Sequence, residues 1–102
     1  MSSDIMSLLK HAKQKYANEG FNIVGIFGSY ARDEATKESD IDILYELDES
    51  FIKHHQGFDA FARLTSIKQE LKNLFGIDVD IAAKSGLSRT ATKYIMKDLQ
   101  RV

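Results

Sequence analysis

Residues 21–47 read FNIVGIFGSYARDEATKESDIDILYEL, and this stretch decides the fold. Its first part, residues 21–27, is rich in β-branched and aromatic side chains and predicts a buried strand. Residues 39–47 predict a second strand, at whose start acidic and apolar residues alternate. The polar residues 28–38 between them have room for about one or two helical turns. Such a connection is short for a parallel crossover, so we expect the two strands to be antiparallel.

Helical and strand patterns continue on both sides of this pair. We expect helices over residues 3–19, 51–75 and 87–102, and a third strand over residues 77–82. The long middle helix can cross from the second strand to the third, which predicts that those two strands are parallel. Its apolar face should lie in the core and include Phe58 and Phe61. The expected fold is an α/β (α+β) sandwich, a small mixed β-sheet of about three or four strands with flanking helices.

The composition is that of a single small globular domain. The chain has 102 residues, of which 43% are hydrophobic and 28% charged. It has no cysteine, and neither a membrane-length apolar run nor a secretory signal is visible, so we expect no membrane partner and a cytoplasmic location by default. The 14 basic and 15 acidic residues give a net charge of −1, which argues against a dedicated nucleic-acid binder.

Two carboxylates stand at the start of the second predicted strand. Asp40 and Asp42 are two residues apart, so on a strand they point to the same face, with Cα atoms roughly 7 Å apart. Two like charges in this arrangement repel each other, and a divalent cation between them reverses that penalty. The alternative is an exposed sheet face with two solvated acids. The apolar residues around the pair weaken this alternative and favour a metal site.

A third carboxylate is predicted on the neighbouring strand. If the second and third strands are parallel neighbours, Asp80 can lie beside Asp40 and Asp42, which would give enough carboxylates for two Mg²⁺ ions. Asp78 has the same facing and remains an alternative. We prefer Asp80 because its apolar neighbours predict a deeper position, whereas Asp78 is near the strand entrance.

A glycine and a serine follow the first predicted strand directly. Gly28 lets the backbone approach a phosphate closely, and the amides that follow, with the Ser29 hydroxyl, can donate hydrogen bonds to its oxygens. Taken alone, the pair is more simply explained as a turn between a strand and a helix. Its position close to the predicted acids makes phosphate binding the better interpretation.

Three segments together resemble a known signature. Residues 28–32 (GSYAR), residues 39–43 (SDIDI) and residues 79–81 (VDI) match, in order and spacing, the motifs of the DNA polymerase β-like nucleotidyltransferase superfamily. More narrowly, the chain resembles the minimal nucleotidyltransferases, of the MntA-like antitoxin type. The resemblance covers nearly the whole chain. One departure is Asp33, where the family often has glycine, and this departure puts the fine geometry of the loop in question.

The resemblance implies a role for each motif residue. Residues 1–102 would form a single catalytic domain that binds two Mg²⁺ ions at Asp40, Asp42 and Asp80, the last of which would help to deprotonate the acceptor hydroxyl. The expected nucleotide-binding residues are Gly28, Ser29, Arg32 and Ser39, of which the first two would hold the β- and γ-phosphates. For Arg32, an ion pair with Asp33 or Glu34 is an equally good reading. Ser39 is better explained by shaping the entrance to the strand.

The resemblance also implies a function and a partner. The chain would transfer AMP from ATP to a tyrosine hydroxyl of a partner toxin with a HEPN domain, and would thereby act as an antitoxin. One alternative is an antitoxin that neutralises its partner by binding alone. Another is a nucleotidyltransferase for small molecules such as aminoglycosides, in which a homo- or hetero-oligomer completes the pocket.

Overall fold

The computed structural model describes residues 3–102, with the side chain of Ser3 left aside. Its elements are α1 (Ser3–Ala17), β1 (Phe21–Phe27), β2 (Ile41–Leu47), α2 (Glu49–His54), α3 (Phe58–Phe75), β3 (Val79–Ala83), a 3₁₀ turn (Lys84–Gly86), α4 (Arg89–Asp98) and β4 (Gln100–Arg101).

One mixed sheet carries the fold, with strand order β3-β2-β1-β4. The strands β1 and β2 are antiparallel, and β2 and β3 are parallel, so both predicted pairings are confirmed. The short strand β4 returns to pair with β1 in the antiparallel sense. Three of the four strands were therefore predicted individually, and the sheet has the size and the mixed character that the sequence predicts.

The hydrophobic core lies between one face of the sheet and the helices α1 and α3. Along β2 the side chains of Ile41 and Ile43 are fully buried, while Asp42 between them is turned to the opposite face and is only partly buried. From the helices, Leu9 and Ile67 are fully buried in the same cluster. This alternation fixes the register, because a slip of one residue would turn the acidic side chain into the core.

The long helix predicted over residues 51–75 is wrong in one respect, because the structure has two helices there, α2 and α3. Asp48 caps the first, since its Oδ1 accepts hydrogen bonds from the amides of Ser50 (2.9 Å) and Phe51 (3.4 Å). Gly57 then has φ of 60° and ψ of −127°, a conformation that few residues other than glycine adopt. The chain therefore changes direction at this glycine before α3 begins.

The predicted burial of Phe58 and Phe61 is also wrong. Their side chains are 92% and 72% exposed. The residues of α3 that face the core, fully or partly buried, are Ala60, Leu64, Ile67, Leu71 and Phe75, which recur at intervals of three and four. Phe58 and Phe61 do not belong to this series, so the rotation of the helix that buries the later residues leaves both rings outside.

The last predicted helix ends earlier than residue 102. Ser88 caps α4, because its Oγ accepts a hydrogen bond from the Ala91 amide at 3.1 Å. The helix ends at Asp98, and the chain continues as β4 along the edge of β1. The apolar residues Leu99 and Val102, which the predicted helix includes, therefore lie on either side of β4 and outside α4.

Over residues 3–102, no helix has the length and apolar character that crossing a membrane requires.

The contrast between buried and exposed residues along α3 predicts very different costs of truncation. We expect Leu71→Ala to lower the free energy of unfolding by about 2–5 kcal/mol, because it leaves a cavity in the core. Phe61→Ala should change it by no more than about 0.5 kcal/mol, because the ring is mostly in solvent. Urea unfolding followed by circular dichroism measures both. A cost for Phe61→Ala close to that of Leu71→Ala would contradict the observed rotation of the helix.

Candidate active site

Asp42 and Asp80 lie opposite each other on adjacent parallel strands. The register of β2 and β3 pairs these two residues directly. Side chains at paired positions of a parallel sheet point to the same face, so both carboxylates are on the face away from α1 and α3. The parallel crossover through α3 thus brings together two acids that are 38 residues apart in sequence (80 − 42).

Gly28 packs against the Asp42 carboxylate. Phe27, the last residue of β1, is paired with Asp42, so the chain leaves the strand just beside this side chain. Gly28 has φ of +77°, and a Cβ atom built on it would lie 2.3 Å from Asp42 Oδ2. Both the backbone conformation and the close approach therefore require glycine at this position.

The environment of Asp42 disfavours its charged form. Burial raises the pKa of the Asp42 carboxyl above its ordinary value, the charges of Asp80 and Asp40 raise this pKa further, and Arg32 lowers it. Among the residues that the structure describes, none forms a hydrogen bond or an ion pair with the Asp42 side chain. A partly buried carboxylate of this kind is suited to bind a cation.

The Asp80 carboxylate, by contrast, already has partners. Its Oδ1 accepts a hydrogen bond from the Ile81 amide at 3.1 Å and lies 3.6 Å from the ammonium of Lys68. Asp78 forms a similar ion pair, with its Oδ1 2.9 Å from Lys72 Nζ. The greater depth predicted for Asp80 is wrong, because the two acidic side chains are 64% and 66% exposed. The register with Asp42 is the better reason to prefer Asp80.

Asp40 and Ser39 lie just before β2, which begins at Ile41 and so two residues later than predicted. The exposed Asp40 lines a cleft of about 320 Å³ beside α3. Ser39 Oγ accepts a hydrogen bond from the Thr36 amide at 2.9 Å, and the Ser39 amide donates to the Thr36 carbonyl at 3.1 Å. Ser39 thus closes a turn at the entrance to the strand.

The loop after Gly28 is a series of turns, where the sequence predicts room for a short helix. The Arg32 amide donates to the Gly28 carbonyl at 3.1 Å, and the Glu34 amide donates to the Ser29 carbonyl at 2.8 Å. These bonds fold residues 28–34 tightly over the end of β1. Within the described residues the Ser29 hydroxyl forms no hydrogen bond, so it can donate to a ligand.

Arg32 connects the loop to α4. Its Nε lies 3.1 Å from Glu34 Oε2, and its Nη1 lies 2.9 Å from Asp98 Oδ2. The pair with Glu34 was one of the two readings that the sequence allows. Asp98 was not among the predicted residues, because it is 66 positions away and no local pattern marks it. Two acids thus hold the guanidinium, and a contact of Arg32 with nucleotide stays a prediction.

Asp33 occupies a position that suits glycine. Its φ is +57°, the left-handed region, where aspartate is one of the few other residues tolerated. This accounts for the glycine that the family often has after its Ala-Arg pair. The departure noted in the sequence therefore leaves the loop with the backbone conformation of a glycine.

The comparison with known sequences settles the family. The sequence profile described as "Nucleotidyltransferase domain" matches residues 5–102, nearly the whole chain. The chain belongs to this family. It is a transferase of the nucleotidyltransferase class.

Curated relatives of this nucleotidyltransferase come from archaea. It is 29% identical over 92 residues to protein adenylyltransferase MntA of Thermococcus cleftensis, covering 90% of this chain and 85% of that one. It is 31% identical over 99 residues to a Methanocaldococcus jannaschii protein that carries the provisional name protein adenylyltransferase MJ1379, covering 96% and 90%. A second protein of that organism, provisionally named protein adenylyltransferase MJ0128, is 33% identical over 100 residues, covering 96% and 90%.

Two solved structures share the fold of this nucleotidyltransferase. One is described as a minimal nucleotidyltransferase, with a TM-score of 0.74, 26% identity, and coverage of 97% of this chain and 93% of that one. The other comes from a toxin–antitoxin structure with AMP-PNP, with a TM-score of 0.67, 18% identity, and coverage of 93% and 69%. The identity to the second is low, so that likeness is one of fold alone.

The carboxylate oxygens of this site are donors of the kind that the divalent metal implied by the family requires, although the acids are not yet arranged around one point. Asp42 has no hydrogen-bond or ion-pair partner among the described residues, and its charge interacts with those of Asp80 and Asp40. Within residues 3–102, however, no three acidic or histidine side chains are grouped closely enough to hold a metal. Oxygen donors of this type suit Mg²⁺, and the strand register places Asp42 and Asp80 opposite each other on one face of the sheet. The exposed carboxylate of Asp80 can change rotamer at little cost to approach a cation at Asp42.

The raised pKa of Asp42 predicts that this residue costs the fold stability at neutral pH. A carboxyl whose pKa is raised in the folded state favours folding fully only at pH values below its pKa in the unfolded chain, near 3.8. This contribution to stability is lost as the pH rises through the pKa of the folded state. We therefore expect Asp42→Asn to raise the free energy of unfolding at pH 7, with a smaller gain at pH 4. Urea unfolding at both pH values tests this. An Asp42→Asn variant less stable than the wild type at pH 7 would contradict the pKa direction.

The left-handed backbone at Asp33 gives a second prediction. We expect Asp33→Gly to be more stable than Asp33→Ala by about 1 kcal/mol, because only alanine must strain to adopt a positive φ. Both variants lose the carboxylate, so their difference reports the backbone alone. Thermal unfolding of the two proteins side by side measures it, and equal stability would show that the loop is not held in this conformation.

Proposed function

We propose that this nucleotidyltransferase transfers AMP from ATP to a side-chain hydroxyl of a partner protein and releases pyrophosphate, in a reaction that depends on Mg²⁺. The observation that carries the proposal is the half-buried carboxylate of Asp42. It faces Asp80 across the strand pair, packs against Gly28, and has no hydrogen-bond or ion-pair partner among the described residues. A partly buried carboxylate without a partner lowers the stability of the fold, and such a group is typical of a site that binds a charged ligand. The family implies that this ligand is a divalent metal ion.

The proposed metal ligands are Asp40, Asp42 and Asp80. Two bound Mg²⁺ ions would supply charge neutralisation to the attacking and leaving oxygens of an in-line displacement. The acids themselves hold negative charge at a fixed place on the sheet. In addition, Asp80 would accept the proton of an acceptor hydroxyl, a role that its exposure to solvent supports.

The triphosphate is proposed to bind at Gly28 and Ser29. The absence of a Cβ atom at Gly28 lets the Asp42 carboxylate approach the backbone at the start of the loop, so a phosphate bound at the amides that follow Gly28 would lie close to the proposed metal ligand. The Ser29 hydroxyl, which has no partner within the described residues, can donate to a phosphate oxygen. Catalysis of this kind rests on positioning and on charge neutralisation, so rigid turns in residues 28–34 favour it.

The acceptor is proposed to be a protein, and more narrowly a tyrosine of a HEPN-domain toxin. The names of the archaeal relatives support ATP as donor and a protein as acceptor. The 64% exposure of Asp80 supports the same class of acceptor, because a hydroxyl on the surface of another protein can reach it from solvent. The toxin partner rests on the resemblance to the minimal nucleotidyltransferases. A single catalytic domain and a cytoplasmic location stay predictions.

The metal ligands can be tested by substitution. Asp42→Asn should lower the rate of transfer by about a hundredfold or more, because a metal-binding site contributes several kcal/mol to charge stabilisation. Asp78→Asn is the matched control, because Asp78 is an exposed, lysine-paired acid like Asp80 but lies just before β3, and it should leave most of the activity. A variant Asp42→Asn that transfers AMP at a near-wild-type rate would exclude the proposed metal site.

The acceptor can be tested with a HEPN-domain toxin, the class of partner that we propose. The two proteins are incubated with ATP and Mg²⁺, and the toxin is then weighed by mass spectrometry. A mass gain of one AMP group per toxin, absent with Asp42→Asn, is the expected result. Tight binding with full neutralisation of the toxin but no mass gain would instead support an antitoxin that acts by binding alone.

A further inference from the structure

Lys68 holds the position of a counter-ion at the proposed third metal ligand. It projects from α3, and its ammonium lies 3.6 Å from Asp80 Oδ1. The same oxygen accepts a hydrogen bond from the Ile81 amide. The Lys68 side chain thus places a positive charge from α3 beside the carboxylate that is paired with Asp42.

This contact and a metal at Asp80 oppose each other. A divalent cation bound to the carboxylate would have the ammonium of Lys68 within a few ångströms, and like charges at that distance repel strongly even when solvent screens them. The Lys68 side chain is 50% exposed, so it is free to move away. Displacement costs little, since an exposed ion pair contributes only about 0–1 kcal/mol.

We infer that Lys68 is a built-in competitor of the divalent cation at Asp80, and that it sets how tightly the acidic site binds metal. The inference rests on the proposed function, in which Asp80 is a metal ligand. It adds a residue outside all three signature segments to the determinants of metal affinity. It also provides a way to decide between Asp80 and Asp78 as the third metal ligand, a choice that the sequence leaves open.

The chain offers a matched pair of lysines for the test. Lys72 also lies on α3, one turn after Lys68, and its ammonium is 2.9 Å from Asp78 Oδ1. The two lysines are 50% and 51% exposed. Removing either one deletes the same charge from the same helix. The main difference between the variants is therefore which acid loses its partner, Asp80 within β3 or Asp78 just before it.

The experiment is a titration of the full chain with Mn²⁺ alone, without nucleotide. Paramagnetic broadening of backbone amide signals in the nuclear magnetic resonance spectrum reports both the affinity and the place of binding. We expect Lys68→Met to bind Mn²⁺ about two- to fivefold more tightly than the wild type, because no ion pair then has to be displaced. Lys72→Met should show a clearly smaller gain, because its ammonium lies at Asp78, which precedes β3 and whose Cα atom is about 7 Å from that of Asp80. Lys68→Arg keeps the charge and should show no gain.

Each other outcome overturns the inference in a different way. If Lys68→Met and Lys72→Met gain equally, or neither gains, Lys68 has no special relation to the metal. If only Lys72→Met gains, the third ligand is Asp78 and the competitor is Lys72. If Mn²⁺ causes no saturable broadening around Asp42 in the wild type, the proposed metal-dependent function fails first, and that result is distinct from the others.

Discussion

The contact between Gly28 and the Asp42 carboxylate is the constraint on which the site depends. A Cβ atom at residue 28 would lie 2.3 Å from Asp42 Oδ2, so the loop and the acidic strand can approach only through a glycine. The same glycine takes a positive φ and starts the turns that carry Ser29 and Arg32. Because β1 and β2 are antiparallel neighbours, the end of one strand meets the start of the other at this point. The same close contact therefore joins two strands of the sheet and positions the Asp42 carboxylate of the candidate site.

The charges around this contact are arranged at the expense of stability. Asp42 is partly buried, with two more acids nearby, and burial raises the pKa of its carboxyl. Two basic residues outside the strand pair offset part of this negative charge. Lys68 on α3 lies beside Asp80, and Arg32 in the loop lowers the pKa of Asp42. Stored electrostatic cost of this kind is typical of a site that a ligand completes.

Features that depend on neighbours in sequence were predictable, and features that depend on distant contacts were not. Alternation in β2 and its apolar flanks predicted the facing of Asp42, and the length of α3 predicted the parallel partner that brings in Asp80. The break at Gly57 and the exposure of Phe58 and Phe61 were missed, because an apolar pattern shows a helix but not the rotation that packing selects. The contacts of Lys68 and Asp98 were missed because they join separate elements, and no spacing in the sequence marks such a pair.

The shortness of β4 has a consequence for motion. This strand has two residues and pairs with β1 at Gly25 and Ile26, just before the loop of the site. So few backbone bonds open at low free energy, and an opening there would free the end of α4, including Asp98, which holds Arg32. The Arg32 guanidinium would then be free to move toward the proposed triphosphate site without any change in β1 or β2. In hydrogen-exchange terms, the amides at the end of α4 should belong to the early-exchanging part of the molecule, and the loop should share their fluctuations while the central strands stay protected.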